Sequence, residues 1–302
     1  MSSAYALRLY DVRKRYGKTV ALDGLTLDVP RGVVMGLVGP NGAGKTTTFG
    51  IVSGAVRPDG GTVDVLGVGP FDSARHAGKV TALPQDCQLN PHSSCKQLLT
   101  FYARLQGVPD PGREAARVLD VVRLADRATS RVRQLSHGMK RRLAVAQGLL
   151  GDPALILLDE PTGGLDPHLV VEMRDVLREQ RGERTLVVSS HILSDLEAVC
   201  DHVAFLDRGR CTSSGAVDEL VGRARLVAVR LAEPVALEDV ADVLDGREPR
   251  VEGDWLFYEL AEDEAPPDAH AALVPALVEA GAKVVELRMG RSLEDIYLES
   301  RG

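Results

Sequence analysis

VVMGLVGPNGAGKTTTFGIV, residues 33–52, is the stretch on which the fold turns. Val33–Val38 is an unbroken apolar run, the pattern of a strand buried on both faces. It passes directly into GPNGAGKTT, residues 39–47, and then into TTTFGIVSGAV, which predicts a helix. Gly39, Gly42 and Gly44 let the backbone turn tightly and aim successive N–H groups inward, where a Cβ would obstruct them. The helix that follows adds the positive end of its dipole. A strand, this G-x-x-x-x-G-K-T spacing and a helix together predict a phosphate cradle built from Gly39, Asn41, Gly42, Ala43, Gly44, Lys45, Thr46 and Thr47. Lys45 is expected between the β- and γ-phosphates. At ~3 Å and an effective dielectric of ~20, one such charge pair is worth roughly 5 kcal/mol before desolvation. The Thr46 hydroxyl is expected on Mg²⁺.

Outward from the cradle, the same alternation of strands and helices continues. Leu7 and Leu9, then Leu25, Leu27 and Val29, alternate with polar residues in the period of half-buried strands. ALILL, residues 154–158, and TLVVSS, residues 185–190, are further buried-strand runs. Between about Pro91 and Arg133 the texture turns helical, with Ala115, Val118, Leu119, Val122 and Ala125 recurring every three or four positions. Strands alternating with helices predict an α/β fold with a mainly parallel sheet. After about Leu220 the composition shifts. A strand over 226–231, a helix over Leu237–Leu244, two short strands around Glu252-Gly253-Asp254, a helix over His270–Ala280 and a strand over 283–287 form a βαββαβ order. That is the order of a small ferredoxin-like domain. The expected division is 1–222, with a helical part at about 91–150, and 223–302.

A second site marker lies at ALILLDEP, residues 154–161, where an apolar strand ends in two carboxylates. Asp159 is suited to hold Mg²⁺, directly or through its water, and Glu160 to act as the general base that polarises the attacking water. Two adjacent acids repel without a cation, so the metal explains the pairing.

Bulk properties bound the remaining choices. The 302 residues carry a net charge of −7, with 44% hydrophobic and 26% charged. An acidic balance argues against nucleic-acid binding, which needs a basic face. The N-terminal segment has no apolar run of signal-peptide length, and no stretch approaches the ~20 apolar residues that cross a bilayer. Any membrane role is therefore expected to come through a partner. Cys87, Cys95, Cys200 and Cys211 form no CxxC pair, which speaks against zinc or redox use and for a reducing compartment.

LSHGMKRRLAVAQGLL, residues 135–150, resembles the signature motif of ABC (ATP-binding cassette) proteins and its helix. On physical grounds Ser136 and Gly138 offer a hydroxyl and backbone N–H groups at a helix N-terminus, a second phosphate-binding device. The rest of the family's pattern occurs in order across about residues 5–220. The resemblance implies that Tyr16 stacks on adenine and that Gln85 senses Mg²⁺ and γ-phosphate and relays to the membrane partner. It implies that Asp166, in GGLD at 163–166, contacts the opposite subunit, and that His191 bonds the γ-phosphate and holds the catalytic geometry. It implies the P-loop ABC cassette fold, with an antiparallel N-terminal β part, a helical part and an accessory C-terminal domain.

The cofactors implied are ATP and Mg²⁺. The partners are a second copy, head-to-tail and ATP-dependent, and an integral membrane permease on whose cytoplasmic side the chain sits. Three departures stand out: His137 occupies a position that is normally glycine, Met139 one that is often glutamine, and Gly163 one that is often serine. The tail, through SLEDIYLE at 292–299, is similar to that of bacterial drug-resistance, lipid and polysaccharide exporter ATPases. An importer motor would share every catalytic residue. A non-transport ABC protein acting on ribosomes or DNA would usually add a second cassette, a coiled-coil insertion or a basic surface.

Overall fold

The computed structural model describes residues 4–221, 226–233, 249–260, 273–275 and 277–299. They fall into two compact units, Met1–Gly215 and Ala216–Gly302.

In the first unit, β1 (Tyr5–Tyr16) and β2 (Thr19–Pro30) form a long antiparallel hairpin, and β4 (Gly60–Val65) pairs with the other edge of β1. The apolar alternation of β1 and β2 points Leu7, Leu9, Leu25, Leu27 and Val29 into one core. Beside this small sheet lies a six-stranded sheet ordered β5-β6-β7-β3-β8-β9, with β3 at Val34–Val38, β5 at Val80–Leu83, β6 at Leu155–Asp159, β7 at Thr185–Ser190, β8 at His202–Asp207 and β9 at Arg210–Ala216. The pairs β5·β6, β6·β7, β7·β3 and β3·β8 are all parallel. Every residue of β3, β6 and β7 is buried, which is why these strands are written as continuous apolar runs. Burying one such leucine contributes about 1.5–3 kcal/mol. β5 and β9 have no such run, while β8 has a short one of four residues, Val203–Leu206, all buried. β9 is joined to β8 through Arg208 and Gly209, both at positive φ, the two-residue turn that suits a twisted hairpin.

Helices α1 (Lys45–Val52) and the single turn α2 (Ser73–His76) belong to this frame. The helical part contains α3 (Cys95–Leu105) and α4 (Pro111–Val121), two 3-10 turns and α5 (His137–Gly148). Ser94 and Gln97 cap α3 reciprocally, and Asp110 with Pro111 opens α4. α6 (Pro167–Arg178) and α7 (Leu193–Val199) complete the unit. No helix among the described residues is long and apolar enough to cross a membrane.

The second unit begins with α8 (Val217–Val221). It falls earlier than the composition shift because α8 packs against the closing helix α9 (Leu293–Glu299). Its sheet runs β11-β12-β10-β13, with β10 at Leu226–Leu231, β11 at Arg250–Glu252, β12 at Trp255–Glu259 and β13 at Val284–Met289, antiparallel throughout. Residues 273–275 and 277–279 are helical and bring Leu273 and Leu277 onto the core of this sheet. The helix expected over Leu237–Leu244 lies outside the described residues.

Candidate functional site

The site forms at the C-terminal ends of three neighbouring parallel strands, β6, β7 and β3, where open α/β sheets bind ligands. Register sets the ends level: Asp159 pairs with Ser189, and Ser190 with Val38. The cleft there is lined by Tyr16, Pro40, Asn41, Gly42, Gly44, Lys45, Thr46, Thr47, Gln85, Asp159 and Glu160, with Thr19, Val20 and Ala21 from β2.

The cradle wraps the start of α1. A Cβ on Gly39 would sit 2.4 Å from the Leu206 carbonyl, so only glycine lets the loop leave β3 this close to β8. Gly44, at φ +107°, caps α1 in a conformation that L side chains avoid. Lys45 is buried and its Nζ donates to the Gly39 carbonyl at 2.6 Å and the Pro40 carbonyl at 3.3 Å. Burial holds its pKa below the ordinary lysine value, opposed by the nearby charges of Glu160 and Asp159. Ala43 is placed differently from the other loop residues. It is buried, and its N–H already donates to the Pro40 carbonyl, so it supports the loop from behind.

Thr46 Oγ1 donates to Asp159 Oδ2 at 3.0 Å, bringing a hydroxyl and a carboxylate together. These are the hard oxygen donors that Mg²⁺ takes, so the residues fit the metal. The buried Ser189 hydroxyl donates to Asp159 Oδ1 and accepts the Glu160 N–H at 2.9 Å. Glu160 is 8% exposed, and both its carboxylate oxygens lie 2.9–3.0 Å from His191 Nδ1. A carboxylate only accepts, so His191 Nδ1 carries the proton in this pair. The Glu160 backbone is left-handed, φ +49°. Such a conformation costs on the order of 1–3 kcal/mol outside glycine and persists only where the surroundings enforce it.

Gln85 follows β5 and reaches the cleft from an exposed loop. Tyr16 stands at the rim, 48% exposed, with Lys14 Nζ 5.4 Å from its ring centroid. The structure thus brings together Tyr16, Lys45, Thr46, Gln85, Asp159 and Glu160, with His191 behind Glu160. It does not bring Ser136, Gly138 or Asp166 to this cleft. Ser136 caps α5, its hydroxyl accepting the Met139 N–H at 3.3 Å, and both it and His137 face outward. Gly138 is packed under Leu169, whose Cδ1 lies 2.3 Å from where a Cβ would stand. Asp166 begins α6, exposed and with no capping bond from its side chain.

Two residues that shape the site escaped the sequence reading. Ser189 follows the apolar run of β7 and is fully buried, where a hydroxyl signals a partner. Arg141 lies on the buried stripe of α5 with Gly138, Val145 and Gly148. A charge in that stripe was the available signal. Its guanidinium donates to four backbone carbonyls, those of Gln85, Asp159, Glu160 and Pro161.

A family model described as "ABC transporter" matches residues 22–163. A protein of Burkholderia orbicola named Nod factor export ATP-binding protein I is 32% identical over 302 residues, covering 97% of this chain and 95% of its own. A namesake from Rhizobium etli is 33% identical over 306 residues, covering 98% and 93%. The solved ATP-binding subunit of an ABC transporter aligns with a TM-score of 0.63 at 27% identity, over 71% of this chain and 91% of that one. A dimeric ATP-binding cassette in a post-hydrolysis state, bound to ADP and Pi, shares the fold at TM-score 0.63 and 22% identity, over 70% and 98%.

Proposed function

Because the chain belongs to the ABC transporter family of ATP-binding proteins, we propose that it is the ATP-hydrolysing subunit of an exporter. It works as an ATP-dependent, head-to-tail pair on the cytoplasmic face of a membrane, beneath a separate permease. The export reading is supported by relatives over nearly their whole length whose names include export.

The observation that carries the paired mechanism is the separation described above. One chain gathers the cradle and the carboxylates around a single cleft, with His191 bonded to Glu160, while its own signature residues do not line it. Ser136 and the start of α5 form an exposed phosphate-binding device with no phosphate site of their own chain to serve. A second copy, turned head-to-tail, supplies that site, and Asp166 faces the same partner.

In the mechanism, the cradle N–H groups and Lys45 bind the phosphates, and Tyr16 stacks on the base. Thr46 and Asp159, with Gln85 alongside, would hold Mg²⁺, which neutralises charge gathering on the phosphate oxygens. Glu160 orients and polarises the attacking water, and its carboxylate takes the proton. His191 fixes that carboxylate through Nδ1. Hydrolysis puts like charges in the shared site and releases the pair, so ATP affinity that differs between the open and closed states drives the cycle.

The test is to measure turnover per chain as the full-length protein is diluted through its association range, while a tagged copy is recovered from gently solubilised membranes. Turnover that falls with dilution, and co-recovery of a multi-span membrane protein, are expected. Full turnover by demonstrably solitary chains would refute the shared site.

A further inference from the structure

The end of β6 leaves a problem that sequence motifs do not address. Three consecutive carbonyls, those of Asp159, Glu160 and Pro161, emerge from the sheet in a buried place where each needs a donor. One side chain meets all three. Arg141, 8% exposed on α5, donates from Nη2 to the Asp159 and Glu160 carbonyls at 2.6 Å each and from Nε to the Pro161 carbonyl at 3.2 Å. Its remaining nitrogen, Nη1, donates to the Gln85 carbonyl at 2.9 Å. The planar fork of a guanidinium makes this possible; an ammonium, a point charge, could not span the same four oxygens.

Glu160 is where this matters. Its left-handed backbone, φ +49°, directs the carboxylate toward the cleft and His191. The peptide groups on either side of that residue are held separately. The Ser189 hydroxyl takes the Glu160 N–H at 2.9 Å, and the Glu160 carbonyl accepts from Arg141 and, at 3.0 Å, from the Gly163 N–H. The turn bond to Gly163 is local, whereas Arg141 reaches from another helix. Among these contacts, only Arg141 also holds the loop that carries Gln85.

We infer that Arg141 is a positioning residue for hydrolysis, holding Glu160 in its left-handed conformation and tying the Gln85 loop to the same four-carbonyl clamp. The inference rests on Glu160 being the general base. Arg141 touches no reacting atom; it acts through the backbone of Glu160. The helix that begins with the signature residues thereby carries, one turn later, the group that sets the hydrolytic carboxylate of its own chain.

The experiment uses the full-length chain, with Arg141→Gln and Arg141→Lys made in the native sequence and in the Glu160→Gln background. ATP turnover, KM and nucleotide affinity are measured for each. Arg141→Gln is expected to lower kcat at least tenfold while KM for ATP stays within threefold. Arg141→Lys, which keeps the charge but loses the fork, should fall between it and the native chain. In the Glu160→Gln background, Arg141→Gln should lower the residual single-turnover rate by a smaller factor than it lowers kcat in the native sequence, because one of the two elements it positions has already lost its function.

A kcat within twofold of the native value for Arg141→Gln overturns the inference. So does a loss of equal size in the Glu160→Gln background, which marks general structural damage. If Arg141→Gln fails to bind ATP through misfolding, Arg141→Lys decides: a lowered kcat at native KM supports the clamp, and a native kcat overturns it. Native turnover by Glu160→Gln would remove the general-base reading and this inference together. An inactive Glu160→Gln beside an unaffected Arg141→Gln would remove this inference alone.

Discussion

The end of β6 and the start of α5 both handle phosphate chemistry in the proposed mechanism, yet they are finished to different degrees. At the end of β6 both carboxylates and the backbone carbonyls are engaged. Asp159 bonds Thr46 and Ser189, Glu160 meets His191, and the backbone is clamped by Arg141. At the start of α5, Ser136 bonds only within its own turn, and His137 faces outward. A densely bonded cluster in one place and an exposed helix start in the other are what the proposed pairing asks of two complementary halves, one for chemistry and one for contact with a neighbour.

Substitutions at the two ends break this comparison in different ways. Glu160→Gln should slow ATP hydrolysis about 10²- to 10⁴-fold, the range for a lost general base, while ATP binding survives and the chain accumulates as a dimer. Size-exclusion chromatography with ATP, alongside phosphate release, checks both halves; unchanged turnover would remove Glu160 from its role. Ser136→Arg should reduce turnover by about 10²-fold, the scale of losing one preorganised donor to a developing charge. Binding of ATP to the isolated monomer should stay near native, because in the proposed pairing the residue serves the neighbour's site. Collapse of monomer binding would erase the distinction between the two ends.

Lys45→Ala should weaken ATP binding by about 10- to 100-fold, the equivalent of a charge-assisted hydrogen bond of about 1.5–3 kcal/mol. Calorimetric titration measures this, and a native Kd would count against the cradle. The smallest effect is expected at His137. Its ring faces outward, with Nε2 3.4 Å from where a Cβ on Gly164 would stand, and no bond in the catalytic cluster depends on it. His137→Gly should change turnover less than about twofold, in keeping with surface substitutions. A larger change in a steady-state assay would give the departure from the usual glycine a role of its own.

Much of this was legible along the chain because the devices are local. The cradle is nine consecutive residues between a buried strand and a helix, and its glycines do what the spacing demanded: Gly44 takes φ +107°. The carboxylate pair was recognisable because an unbroken apolar run ends in two acids. The core strands β3, β6 and β7 announced themselves by apolar runs that are buried on both faces. Strand β8 carries only a four-residue apolar run, VAFL, and β5 and β9 were less visible still. β5 and β9 are only partly buried, and their mixed residues match no single period.

What the sequence determined by itself is the set of candidate groups: a glycine-rich loop between a buried strand and a helix, two acids at a strand end and a serine at a helix start, each written in contiguous residues whose spacing dictates local geometry. What only the tertiary structure decided is which of them meet. Arg141 reaches carbonyls 18, 19, 20 and 56 positions away in the chain, and Ser189 joins the carboxylate pair from 29 and 30 away. Those meetings follow from the parallel register of β6 against β7 and from the packing of α5 under the strand ends. Hydrogen-bond partners so distant in sequence are chosen by how buried surfaces fit, and no local pattern encodes that fit.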